Sequence, residues 1–199
     1  METPTQQPAA LAEDAPHSVA LAIAGMMKTF GSGEMSALRR LDSAAVVPAY
    51  WRLAARHPVL EQRRDSWSPI VQALALLTPK GPPEERGELH DPERKLGTAL
   101  CDGGQASWPT EGDARPLLSE PRFARLLAAR GQQRQVLLLR AVRMLAASRE
   151  PGQGVDVGDL AWRFVDADPQ RLAAPYYQRL DRAERLSGNT PIEKGPGDE

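Results

Sequence analysis

The stretch QQRQVLLLRAVRMLAAS, residues 132–148, decides the fold. Leu138, Ala141, Val142 and Leu145 recur at i, i+3, i+4 and i+7, one apolar stripe at the helical period. At 100° per residue Arg140 and Arg143 lie roughly opposite that stripe, three residues apart on one face. Arg134 points to the buried side near the start of the helix. The same logic runs outward in both directions. Upstream, Ser119 caps EPRFARLLAAR, with Phe123, Leu126 and Leu127 inward, Arg122 and Arg125 on a flank, and Gly131 as the stop. Downstream, VDVGDLAWRFVDA and APYYQRLDRAERL each read as a further helix.

The first half of the chain has the same character. HSVALAIAGMMKTF, 17–30, is an amphipathic helix with Leu21, Ala24, Gly25 and Lys28 in register and Gly31 ending it. A short helix over GEMSALRRL turns Leu38 and Leu41 to the core and Arg40 away, with Arg39 between. Pro48 suits the first position of PAYWRLAAR, where its missing N–H costs nothing. There Tyr50, Leu53, Ala54 and His57 form the inward stripe, and Trp51 is expected in the core. Asp65 or Ser66 caps SWSPIVQALALL. The Pro/Gly-rich TPKGPPEERGELHDP, 78–92, reads as a linker, and ERKLGTALCDGG opens the second half. No period-two pattern appears. The expectation is an all-α fold of about eight to nine helices without a sheet. It is organised as a disordered tail (1–16), an N-terminal helical subdomain (17–77), the linker loop (78–92), a C-terminal helical subdomain (93–186) and a disordered tail (187–199).

Composition narrows the function. The 199 residues are 41% hydrophobic and 26% charged, ordinary for a globular chain, but only 5% aromatic. One cysteine, Cys101, excludes an internal disulfide. No apolar run reaches the roughly 18 residues of a membrane span, and residues 1–17 lack the basic start of a signal peptide. A cytoplasmic chain with no membrane partner is expected.

The net charge of −1 hides a segregation of signs. Residues 115–149 hold eight arginines against the single acid Glu120, so the segment carries +7. A genome bias would explain 21 arginines to 4 lysines, but not their clustering. Solvated helix faces mix signs to gain i,i+4 pairs, and these faces lack the acids. Guanidinium binds phosphate bidentately, so phosphates can supply the missing charge. Sparse aromatics argue against a base-stacking platform, and nothing resembles a recognition helix. Charge without readout implies binding independent of sequence. Acidic protein surfaces offer the alternative, a helical adaptor.

Catalysis finds no support. His17, His57 and His90 are scattered, Cys101 has no basic or histidine neighbour in sequence, and Asp156, Asp159, Asp166 and Asp168 sit where capping explains them. Phosphate-cradling glycine loops are absent. No metal and no cofactor is expected.

Two stretches carry a family likeness: ALRRLDSAAVVPAYWRL, and KLGTALCDGG followed by RPLLSEPRFARLLAARGQQRQVLLLRAVRML. In order and spacing, over roughly residues 18–165, they resemble the CasB family, the small subunit of the type I-E CRISPR surveillance complex, Cascade. The resemblance implies two packed helical subdomains and two copies per complex, head to tail along the inner face beside the backbone and large subunits. It further implies a non-catalytic role in antiviral defence, holding the guide RNA–target DNA hybrid and the displaced strand. Carried over by position, the nucleic-acid-binding residues are Arg39, Arg40, Arg122, Arg125, Arg140 and Arg143, with Arg63 and Arg64 near another basic point. The chain departs from the family in a longer loop at 103–114 and in DADPQ, 166–170.

Overall fold

The computed structural model describes residues 16–41, 46–109, 114–166 and 168–188. Among these are ten α-helices: α1 Pro16–Lys28, α2 Ser32–Arg39, α3 Pro48–Ala54, α4 Val59–Gln62, α5 Arg64–Leu77, α6 Leu96–Asp102, α7 Glu120–Ala128, α8 Gly131–Ser148, α9 Val157–Val165 and α10 Gln170–Gly188. No strand occurs among the described residues, only an isolated bridge between His90 and Val155. The all-α expectation holds, with slightly more helices than periodicity suggested. Apart from Pro16 and the end of α10, the expected tails at 1–16 and 187–199 lie outside the described residues, as does part of the 103–114 loop.

α5 is the central element. Trp67, Ile70, Val71, Ala73, Leu74, Ala75 and Leu77 are all buried, so nearly its whole circumference is apolar contact. Its cap differs from the sequence reading. Arg63 occupies the N-cap position with no side-chain cap, and Asp65 falls in the first turn, where its charge favours the helix dipole. α1 lies along α9, α2 and α8 lie against α5, and α6 lies along α10. The two halves therefore share one hydrophobic core.

Two glycines permit the closest crossings. A Cβ on Gly97 of α6 would collide with the Leu172 carbonyl and the Pro175 ring of α10. A Cβ on Gly158 of α9 would strike the His17 ring at the start of α1. The latter approach belongs to a register of α1 that periodicity alone did not select. Val19, Ala20, Ile23 and Met27 are buried there, while Gly25 is exposed and Lys28 pairs with Glu88. α3 follows its sequence reading more closely. Tyr50, Leu53 and Ala54 are buried and Tyr50 Oη donates to the Leu60 carbonyl at 2.7 Å. Trp51, expected in the core, is half-buried with its ring edge-on to Tyr50 and the Arg64 guanidinium 5.4 Å from its centroid.

The connection at 78–92 is pinned rather than free. Arg86 is buried, and its Nη1 donates to the carbonyls of Met27, Lys28 and Phe30 at 3.0, 3.3 and 2.6 Å. Those carbonyls end α1, where the helix leaves acceptors unpaired and favours a cation. In the second half the buried Asp102 carboxylate gathers Arg94 at 2.6 Å, Arg179 at 3.1 Å and the Gly104 N–H at 3.0 Å. It joins the end of α6 to α10 and to the turn that follows. Phe123 of α7 stacks on Tyr176 of α10 at 3.9 Å, and Tyr176 Oη donates to the Leu118 carbonyl at 2.6 Å. Burial pushes the Cys101 thiol up to about 12, so it is an inert core group at neutral pH.

Candidate nucleic-acid interface

The packing of α2 and α8 against α5 leaves an open cleft of about 910 Å³ between the two halves. Arg39 and Arg40 line it from the end of α2 and Arg143 from α8, together with Gln72 of α5 and Gln132 and Gln135 of α8. Asp65 is the one carboxylate among the described residues that line it. Arg40 and Arg143 are exposed. Arg39 is half-buried, and its Nε and Nη2 donate to the carbonyls of Ala75 and Thr78 at 3.0 and 3.2 Å. It thus closes the C-terminal end of α5 while bordering the cleft. Burial first, then the charge of Arg86, lowers its pKa. Gln72 Nε2 donates back to the Arg39 carbonyl at 3.0 Å, fixing the end of α2 on α5.

Arg140 and Arg143 border different grooves. Arg143 belongs to the cleft just described, whereas Arg140 joins Arg125 and Arg122 in the groove between α7 and α8. The crest of α8 at Gln132 and Val136 lines both. The basic surface therefore wraps over α8, with a groove on either side.

The +7 segment is smaller as a surface than as a sequence. Arg130 donates to the carbonyls of Leu127 and Ala129. Arg149 donates to the carbonyls of Gln153 and Leu77, tying α8 to the end of α5. Arg134 is buried, as its position predicts, and none of its three guanidinium nitrogens has a hydrogen-bond partner. Burial, with the nearby charges of Arg163 and Arg130, lowers its pKa. Arg122, Arg125, Arg140 and Arg143 are exposed. Away from both grooves, Arg63 is exposed at the α4–α5 junction, and Arg64 is half-buried over Tyr50 and Trp51 at 5.6 and 5.4 Å.

Sequence reasoning missed the glutamines that line the cleft and the internal partners of Arg39, Arg86 and Arg149. A glutamine mid-helix gives no sequence signal of this kind, and the arginines' carbonyl partners are remote in the chain.

The family model for the CRISPR-associated protein Cse2 matches residues 34–183, or 150 of the 199 residues. The chain belongs to the Cse2 family. CasB is another name for that family, so the resemblance drawn from the motifs holds, and the chain is the small subunit of a type I-E Cascade. No curated protein and no solved structure matches the chain. The Cse2 match begins in α2 and ends in α10, so it takes in the residues named in the cleft and the whole α7–α8 pair. Among the described residues, no helix of this Cse2 chain is long and apolar enough to cross a membrane.

Proposed function

We propose that this Cse2 subunit is a non-catalytic clamp that holds the guide RNA–target DNA hybrid and the displaced strand by phosphate contacts independent of sequence. The observation that supports it most directly is the cleft between the halves, where Arg40 from the end of α2 and Arg143 from α8 line one opening with three glutamines. Exposed guanidiniums from two elements suit a phosphate chain running between them. Glutamine amides can add hydrogen bonds to phosphate or sugar without reading a base. Among the described residues no aromatic ring lines the cleft, which leaves no stacking platform in its lining. Two copies head to tail, as the family resemblance implies, would extend such a track along the assembly.

Strand binding by the full chain tests this. Arg40→Ala with Arg143→Ala should flatten the log–log salt slope by about 1.4 on single strands and about 1.8 on duplex, the values for two lost phosphate contacts. Folding should be nearly unchanged, because exposed substitutions usually stay within about 0.5 kcal/mol. A slope equal to that of the native chain would remove the cleft as the phosphate site.

A further inference from the structure

The second groove on the basic surface differs from the first in chemistry. Between α7 and α8, Leu118, Leu126, Leu137, Ala141 and Met144 make an apolar floor, with Arg122, Arg125 and Arg140 around it. This hollow, about 260 Å³, runs on into one of about 620 Å³ that shares Arg125, Leu137 and Arg140 and reaches the crest at Val136. Leu137 and Met144 are only half-buried, and Val136 is 42% exposed. Among the described residues, no aromatic side chain and no acid lines either part.

A phosphodiester chain is a poor fit to that lining. It would gain three guanidiniums but would strip water from Leu137 and Met144 with no apolar surface to return, and there is no ring on which a base could stack. An amphipathic helix meets both demands. Its apolar residues at i, i+3/i+4 and i+7 cover the floor, and its flanking carboxylates reach the arginines. From Leu137 to Met144 the floor follows two turns of α8, about 10 Å, which matches a two- to three-turn contact.

We propose that the α7–α8 groove docks an acidic amphipathic helix of another Cascade protein subunit. The basic surface then divides at the crest of α8, with nucleic acid on the Arg40/Arg143 side and protein on the Arg122/Arg125/Arg140 side. This rests on membership of the complex but not on the phosphate role of the cleft.

The test uses the full chain in the assembled complex. A photo-crosslinking benzoylphenylalanine in place of Leu137 should capture a different protein subunit, at a helix whose sequence alternates apolar residues with Asp and Glu. Capture of guide RNA or target DNA, of a second copy of this chain, of a segment without acids, or of nothing in a complex that has incorporated the subunit would overturn the proposal. In parallel, Leu137→Gln with Met144→Gln should weaken retention in the complex by about thirtyfold, the scale of an interface hot spot. Strand binding by the free chain should stay within about twofold, the scale of a surface change. Should the double variant melt early, Leu137→Gln alone gives the same readout from a half-buried position that carries no charge. If these variants weaken strand binding as much as Arg143→Ala does, the groove belongs to nucleic acid and the proposal fails. If no variant on either side affects strand binding while retention falls, the clamp proposal fails and the docking site stands.

Discussion

Replacing Asp102 with Ala should be the most damaging single change of a charged residue in this protein. The carboxylate is 2% exposed and accepts from Arg94, Arg179 and the Gly104 N–H. Both guanidiniums are themselves largely buried, at 15% and 20% side-chain exposure. Removing one partner of a buried pair costs about 3–5 kcal/mol, since the remaining charge is left without its counterion. Three residual contacts moderate the loss. Arg94 keeps its bond to Gln153 at 3.2 Å, and Arg179 keeps the Trp108 carbonyl at 2.6 Å and the Trp108 ring at 4.8 Å. The expected cost is therefore near the lower end, about 3 kcal/mol. At about 2–4 °C per kcal/mol for a chain of this size, Tm should fall by about 6–12 °C. Thermal melts of Asp102→Ala, of Arg179→Met and of the double variant form a cycle that isolates the coupling. The double variant should be less destabilised than the two singles added together, because it no longer strands a charge. A Tm loss of under about 2 °C for Asp102→Ala would refute the view that this carboxylate holds α10 on α6. Strand binding measured well below the melt should not change, because none of these groups lines the cleft.

Two further outcomes follow from buried groups elsewhere. Arg134→Met should stabilise the chain by about 1–4 kcal/mol, because the native guanidinium is buried, hydrogen-bonded to nothing and close to the charge of Arg163; a lowered Tm would show that the guanidinium is compensated. Asp156 caps α9 and accepts from Lys95, and although burial alone would raise its carboxyl, the Lys95 ammonium and the N–H groups of Asp159 and Gly158 hold it below its ordinary value. A depressed carboxyl contributes stability above its unfolded value of about 3.9 that is lost as pH falls through the folded value. Chemical denaturation from pH 6 to 2 should show that loss in the native chain and a smaller one in Asp156→Asn.

The helical architecture was determined by local sequence. The stripe Leu138–Leu145, the proline opening α3 and the buried faces of α3 and α7 follow from a period of 3.6 and from the fixed φ of proline at a helix start, both properties of a few neighbouring residues. Motif order added the family, which the match over 34–183 shows. Tertiary structure alone decided which arginines are held by distant backbone carbonyls. Arg39 reaches carbonyls 36 and 39 residues away, Arg86 reaches the end of α1, and Arg149 reaches Leu77 across 72 residues. In sequence these are indistinguishable from Arg40 and Arg143, because a guanidinium carries the same charge whether a carbonyl or solvent receives its protons. The register of α1 was likewise set at a distance, by the room that Gly158 leaves for His17. The division of the basic surface into a polar cleft and an apolar-floored groove arose the same way. Periodicity places Arg140 and Arg143 together on one face of α8, but the helices packed on either side, α7 and α5, determine what each arginine has for a neighbour.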